Sequence, residues 1–253
     1  MIIYDLEQGT PEWFQCRAGK LTASRVRDIR RSEPLTKQQR IYVDALRSGL
    51  EQDQAMKVAG YKRKPTSKLI DDAVAGKELQ LEPFSPAARK VAMELACQRV
   101  AGDVIDQERF DTWATKRGHE LEIVARGLHE EKRNVFVEQA GFICDDDEKF
   151  GVSVDGFLGD DGIAEYKCFV DGAKIHDFLT GDLSGVMDQI QCGMMITARA
   201  WCDFVLYVPK IPLMVWRVQR DDDFIKAMLK DMDDFDELIE SCVTLIKTKV
   251  GEA

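Results

Sequence analysis

Between Gly151 and Cys168 the chain reads GVSVDGFLGDDGIAEYKC, in which Asp155, Glu165 and Lys167 flank the turn formers Asp160, Asp161 and Gly162. Carboxylates and an amine at this spacing can do hydrolytic chemistry if the fold brings them together. Asp and Gly at the bend favour a hairpin, or two adjacent strands turning near residue 160. In a hairpin symmetric about that point, residue 155 lies opposite residue 165, and directly opposed Cβ atoms are roughly 5 Å apart. Side chains alternate across a strand, so Glu165 and Lys167 point to the same side. Two carboxylates that close repel unless a cation lies between them. An oxygen-only site with open positions suits a hard ion such as Mg²⁺. Such a metal polarises a phosphodiester and lowers the pKa of a bound water. The lysine ammonium orients that water or helps to deprotonate it, and offsets developing negative charge. The reaction this trio would serve is phosphodiester hydrolysis. The same D-x9-E-x-K pattern also fits an exposed acidic hairpin with a surface Glu–Lys pair. A calcium loop does not fit, because Phe157 and Gly159 stand where an EF-hand needs oxygen ligands.

The elements that must position these residues follow from periodicity. Strand-like runs occupy 134–144, 150–155 and 163–170, a helix fits 184–198, and AWCDFVLYVP and LMVWRVQR read as two further strands. Upstream, QGTPEWFQCRAGKLTASRVRDIRR has a turn signal at Gly9 to Pro11 and fits two short helices, with Thr22 or Ser24 as a cap. Residues 86–101 place Val91, Leu95 and Val100 on one side, and residues 112–133 place Leu121, Val124 and Leu128 on one stripe. An acidic amphipathic helix is predicted at about 221–248, where Phe224, Met228, Met232, Phe235, Ile239, Cys242 and Ile246 recur at three or four. Strands and helices alternate unevenly, which predicts an α/β fold with a mixed sheet flanked by helices.

One segment stands apart. In LTKQQRIYVDALRSGLEQDQAMKVAGYKRKP, residues 35 to 65, Ile41, Leu46, Leu50, Met56 and Val58 predict helices broken at Gly49 and Gly60. This is a helix-turn-helix-like pattern in a small helical insert at about 35–75. Between Leu35 and Leu69 eight basic residues face three acidic ones. The stretch resembles the small helix-turn-helix that opens phage terminase small subunits. Two readings stand side by side: a patch including Lys62, Arg63 and Lys64 that grips duplex phosphates, and a solvated helical decoration.

The composition bounds the rest. With 253 residues, 45% of them apolar, the chain can bury a proper core, and it reads as a single domain over 1–253 with the insert within it. A net charge of −10 excludes a general nucleic-acid coat, so any contact with DNA must be local. No apolar run approaches the roughly 18 residues of a membrane helix, and MIIYDLEQGTPEW lacks the regions of a signal peptide. The expectation is a cytoplasmic protein with no membrane contact. Seven cysteines, odd in number and without a CxxC, predict neither a disulfide framework nor a zinc site. His119, His129 and His176 have no partners at metal-ligand spacing and read as ordinary histidines.

SVDG, followed ten residues after its Asp by EYK, resembles the core of the PD-(D/E)XK nuclease superfamily, with Val154 where the name has proline. GTPEWFQCRAGKLTAS, KRGHELEIVAR, DQIQCGMMIT and VQRDDDF resemble, in order, segments of the phage-lambda-type alkaline exonuclease family, also called YqaJ-like viral recombinases. The resemblance covers residues 8 to 31 and about 112 to 225. It implies a restriction-endonuclease-like α/β fold, a mixed β-sheet flanked by helices. It also implies an Mg²⁺-dependent deoxyribonuclease, with Mn²⁺ able to substitute. Such an enzyme degrades one strand of linear double-stranded DNA from its 5′ end, leaving 3′ overhangs for recombination by strand annealing. A ring-shaped homotrimer, a single-strand annealing partner, and a phage or prophage origin in a bacterial cell are implied as well. An endonuclease of the same superfamily, or a non-catalytic DNA-binding module, are the alternatives.

By the same resemblance Asp155, Glu165 and the backbone carbonyl of Tyr166 bind the metal and Lys167 is the catalytic lysine. Glu122 completes the site, with Glu120 as its competitor. Gln189 stands near the nucleophilic water, with Gln191 as its competitor. Arg17, Ser24 and Ser153 match residues that bind the terminal 5′-phosphate, and a guanidinium fork with hydroxyl donors suits a phosphate. A further phosphate-binding arginine of the family is Ala173 here, with Lys174 next to it as a substitute that cannot make a bidentate contact.

Overall fold

Two four-stranded sheets, both mixed, carry the strands of the described residues. The computed structural model describes residues 1–31, 35–77, 83–105, 113–168 and 171–251. The first sheet holds β1 (Ile2–Tyr4), β2 (Leu21–Thr22), β3 (Phe142–Cys144) and β4 (Phe150–Val152) in the order β1-β3-β4-β2. Only β2 and β4 run parallel, through Leu21 opposite Phe150 and Thr22 opposite Gly151. The second holds β5 (Gly156–Leu158), β6 (Gly162–Lys167), β7 (Trp201–Leu206) and β8 (Met214–Gln219) in sequential order, with β6 and β7 parallel. The sequence predicted one mixed sheet. The division falls at Ser153 to Asp155, between β4 and β5, where the chain leaves one sheet and enters the other.

Gly156 pairs with Ala164, Phe157 with Ile163 and Leu158 with Gly162, so the β5–β6 hairpin is symmetric about residue 160. The strand-like run at 134–144 is a strand only at its end. Before it, Glu138 makes a single bridge to Phe157, and the Val137 N–H is taken at 2.9 Å by the Glu130 side chain, which removes it from any ladder. The run at 163–170 ends as a strand at Lys167, and residues 169 and 170 lie outside the described residues.

Helix α1 (Pro11–Arg17) starts at Thr10, whose side chain accepts from the Trp13 N–H at 3.3 Å. Thr22 precedes a 3-10 turn (Ala23–Arg25) without a side-chain cap bond, and Ser24 lies inside that turn, before α2 (Val26–Ile29). In the insert, residues 31–85 form a compact unit of their own. There α3 (Lys37–Arg47), α4 (Gln52–Ala59) and α5 (Lys68–Val74) close on Tyr42, Val43, Ala55 and Ile70. Gly49 and Gly60 end the first two of these helices at φ of +89° and +75°, where a side chain would be strained. Ile41 and Val58 are 37% and 61% exposed, so the apolar face is turned by one position from the expected one, toward Tyr42 and Val43.

The other unit comprises residues 1–30 and 86–253. There α10 (Asp222–Val250) packs on α6 (Pro86–Ala101) and on α9 (Ser184–Thr197), burying Met228, Met232, Phe235 and Ile239. Helix α7 (Trp113–Arg133) lies on β6 and β7. Its expected stripe is not the buried one: Val124 and Leu128 are 46% and 39% exposed, whereas Ala125 and His129 are fully buried. The inward face therefore carries Glu122, Ala125, Arg126 and His129, one helical stripe at spacings of three and four. Its polar members hide it from hydrophobic periodicity. All seven cysteines are free thiols, and no described helix is long and apolar enough to cross a membrane.

Candidate active site

Asp155 stands at the bend between the two sheets, one step beyond the last hairpin pair. Continued by one step, the register sets residue 155 opposite residue 165. Instead of a ladder bond, Asp155 Oδ2 accepts the backbone N–H of Tyr166 at 2.6 Å, which fixes the carboxylate against β6. Glu165 is buried, 4% exposed, and its Oε1 accepts from Lys167 Nζ and from Gln189 Nε2, each at 2.5 Å. Gln189 reaches this atom from α9. Gln191 has another task, donating to the Gln219 carbonyl and accepting the Asp221 N–H, so it ties α9 to the end of β8. From α7, Glu122 accepts from Arg126 Nη2 at 3.2 Å, while Glu120 is exposed.

These residues line two hollows. Asp155 and Glu122, with Asp5, Glu7, His119 and Arg126, line one of ≈ 420 Å³. Lys167 and Gln189, with Arg27, Lys174, Asp177 and Asp182, line another of ≈ 510 Å³. The first hollow sets four carboxylates against Arg126 and His119, and the second sets three cations against two carboxylates.

Electrostatics fit a bound cation. Burial, then the charges of Glu165 and Glu122, push the Asp155 carboxyl well above the usual range. Burial also raises Glu122, against Arg126 and His119. Burial pulls the Lys167 amine down, but Glu165 and Asp155 outweigh it, so it lies above its ordinary value and is an ammonium at neutral pH. Among the described residues no three His, Cys, Asp or Glu side chains converge as a complete ligand set. Asp155, Glu165 and Glu122 nonetheless lie in one another's field, with Lys167 paired to Glu165 and Arg126 to Glu122. An oxygen-only set of this kind suits a hard divalent ion that keeps waters or phosphate oxygens.

A second group adjoins Asp155. Arg17 Nη1 donates to Ser153 Oγ at 2.9 Å, and its guanidinium lies over the Trp13 ring at 4.0 Å and near Phe142 at 5.4 Å. Trp13 Nε1 donates to the same hydroxyl at 3.2 Å. Burial depresses Arg17 to about 10, and among the described residues no carboxylate pairs with it. A desolvated guanidinium without a counter-ion favours an anion. The turn behind it is held at Gly19, whose N–H donates to Gln98 Oε1 and whose carbonyl accepts from Arg99 Nε. Ser24 is exposed, with its Oγ 3.4 Å from Thr22 Oγ1. Ala173 and Lys174 are in the first turn of α8 (Gly172–Leu179), and Lys174 lines the hollow of Lys167. Lys62, Arg63 and Lys64 are exposed between α4 and α5 of the insert unit.

Sequence reasoning missed Arg27, which lines the Lys167 hollow and donates to the Gly185 carbonyl at 3.0 Å. It also missed Trp13 and the buried His129. Only their three-dimensional neighbours distinguish them from an ordinary surface arginine and two core residues.

A bend between mixed sheets that presents two carboxylates and a lysine, with a glutamate and a glutamine added by flanking helices, is the architecture of restriction-endonuclease-like nucleases. The chain belongs to the YqaJ-like viral recombinase domain family, whose model matches residues 12–200. It is similar to the crystal structure of an alkaline exonuclease, LHK-Exo, from Laribacter hongkongensis, with 27% identity and a TM-score of 0.68 over 96% of this chain and 99% of that one. The complex of LHK-Exo with dAMP matches at 26% identity and a TM-score of 0.66, again over 96% and 99%. A phage-related exonuclease from Haemophilus somnus 129PT shares the fold at 15% identity and a TM-score of 0.55, over 90% and 96%. No curated protein matches the chain.

Proposed function

We propose that this protein is an Mg²⁺-dependent exonuclease that degrades one strand of linear double-stranded DNA from its 5′ end, leaving 3′ overhangs for recombination by strand annealing. Exonuclease action on DNA is supported by its family and by its likeness to LHK-Exo. The observation that carries the reading is the convergence of Lys167 and Gln189 on Glu165 Oε1, beside an Asp155 clamped by the Tyr166 N–H.

Asp155, Glu165, the Tyr166 carbonyl and Glu122 are the groups that would hold the cation, and Mn²⁺ shares its preference for oxygen. When bound, Mg²⁺ supplies Lewis-acid polarisation of the phosphodiester and a more acidic water. The Lys167 ammonium donates to the attacking water or to a phosphate oxygen and offsets charge developing there. Gln189 Nε2 holds Glu165 Oε1 in one orientation and offers its carbonyl oxygen to the water. Arg17 and Ser153 bind the terminal 5′-phosphate, with Ser24 at the rim. Lys174 and Arg27 hold phosphates of the strand entering the Lys167 hollow. LHK-Exo in complex with dAMP supports a nucleoside monophosphate as the product. Lys62, Arg63 and Lys64 of the insert grip the duplex backbone. The same reading carries a ring-shaped homotrimer and a single-strand annealing partner in a bacterial cytoplasm, and the family's description as a viral recombinase domain supports a phage or prophage origin.

Digestion of linear duplex, with and without a 5′-phosphate, against covalently closed circles tests the reading. Linear 5′-phosphorylated DNA should be degraded to mononucleotides in Mg²⁺ while circles persist. Cleavage of circles would make the protein an endonuclease instead.

A further inference from the structure

Tyr166 has two faces. Its backbone N–H holds Asp155, and its side chain, on the opposite side of β6 from Glu165 and Lys167, meets a buried polar chain. Tyr166 Oη is 3.0 Å from His129 Nδ1, His129 Nε2 is 3.3 Å from Asp203 Oδ2, and Arg217 donates to Asp203 through Nε at 2.9 Å and Nη2 at 3.0 Å. The Arg217 guanidinium is stacked on the Trp201 ring at 3.7 Å. His129 and Asp203 are both 0% exposed.

The direction of the bonds to Asp203 follows from chemistry. Burial favours a neutral Asp203, but the His129 and Arg217 bonds outweigh it and hold the carboxyl down at about 2, so Asp203 only accepts. His129 Nε2 must therefore carry a hydrogen. A phenol and an imidazole nitrogen 3.0 Å apart share one hydrogen, so the contact between Tyr166 Oη and His129 Nδ1 is satisfied whichever of the two donates. Every buried polar atom along the chain of contacts is thereby satisfied.

A buried ionic network is weak as a source of stability, since apolar residues of similar volume often serve as well. Its distinctive effect is to fix geometry. This one ties α7, β6, β7 and β8 to one phenol, and His129 lies seven residues, two helical turns, after Glu122 on the inward face of α7. One anchor thus sets the strand that carries Glu165, the N–H that clamps Asp155, and the helix that carries Glu122.

We propose that His129, Asp203 and Arg217, acting through Tyr166, are positioning residues that hold the three carboxylates in a cation-binding arrangement. The proposal rests on the reading of Asp155, Glu165 and Glu122 as cation ligands. Tyr166→Phe removes only the hydroxyl and keeps the ring, so it is the decisive variant. Mn²⁺ binding is measured by titration calorimetry without DNA. The kcat and KM on linear duplex, the Mg²⁺ concentration at half-maximal rate and thermal unfolding complete the set. Outer-shell partners of metal sites typically matter by about 10- to 100-fold. Tyr166→Phe should accordingly weaken Mn²⁺ binding and lower kcat by about tenfold, with KM for DNA within about twofold of the parent. His129→Asn, which keeps an amide donor and acceptor, should recover part of what His129→Ala loses. Parental Mn²⁺ affinity in Tyr166→Phe overturns the proposal, as does a loss of kcat that only tracks the folded fraction. If the parent neither binds Mn²⁺ nor hydrolyses DNA, the reading of the site itself fails instead.

Discussion

Arg17 and Ser153 meet at 2.9 Å although 136 positions separate them, and Ser153 lies two residues before Asp155. The contact ties the end of α1 to the bend that carries Asp155, so on the proposed reading a group bound by Arg17 is held at a fixed distance from the reacting phosphodiester. Charge-assisted contacts to phosphate contribute on the order of 1.5 to 3 kcal/mol, a factor of roughly 10 to 150. Arg17→Ala should therefore reduce the preference for 5′-phosphorylated over 5′-hydroxyl ends by at least about tenfold. Degradation rates on the two substrates decide it, and an unchanged ratio removes Arg17 from the phosphate pocket.

Asp155→Asn and Glu165→Gln should each abolish hydrolysis while DNA binding persists, because the carboxylates act on the chemical step. Lys167→Ala should lower turnover by about 10² to 10⁴ with cation binding retained, as removal of a group that activates the water predicts. Single-turnover rates, paired with DNA binding in a chelator, separate the two effects. Full activity in either carboxylate variant would remove that residue from the site.

The hairpin was legible because its signals are local: Asp160, Asp161 and Gly162 mark the turn, and alternation then fixes the register of Asp155 and Glu165. Gln189 is singled out only through family motifs, as a residue near the water, since DQIQ offers two glutamines; its bond to Glu165 and the structural task of Gln191 are distinguished only by the fold. Helix α7 misled. Its inward face is Glu122, Ala125, Arg126 and His129, so burial there follows polar contacts to the sheet, and hydrophobic periodicity selected the exposed Val124 and Leu128. The division into two sheets was hidden as well, because it depends on the long-range pairing of β2 with β4.

The insert makes a separable prediction. Lys62, Arg63 and Lys64 are exposed side by side, and phosphate contacts carry no base information. Neutralising all three should weaken duplex binding without changing sequence preference. Each lost contact lowers the slope of log affinity against log salt by about 0.9, so three should flatten it by roughly 3. A salt titration with Asp155→Asn protein, which leaves the substrate intact, is the measurement. Parental affinity with a parental slope would make the insert a solvated decoration.

Asp203 links the buried network to acid stability. Its folded-state pKa is about 2, against about 3.9 for an unfolded aspartate. A depressed carboxyl contributes stability that is fully present above the unfolded value and is lost as pH falls toward the folded one. That contribution is of the order of 2 kcal/mol at neutral pH and fades between about pH 4 and pH 2. Asp203→Asn cannot make it, so the variant should unfold more easily in urea at pH 7 by at least about 2 kcal/mol. The gap between variant and parent should then shrink as the pH is lowered from 4 toward 2, because only the parent loses the ionised anchor. Arg217 should tolerate the change, since its side chain is 42% exposed and remains stacked on Trp201. Urea unfolding at pH 7, 4 and 3 provides the comparison. A gap that stays constant down to pH 3 would show that Asp203 is not held ionised by His129 and Arg217.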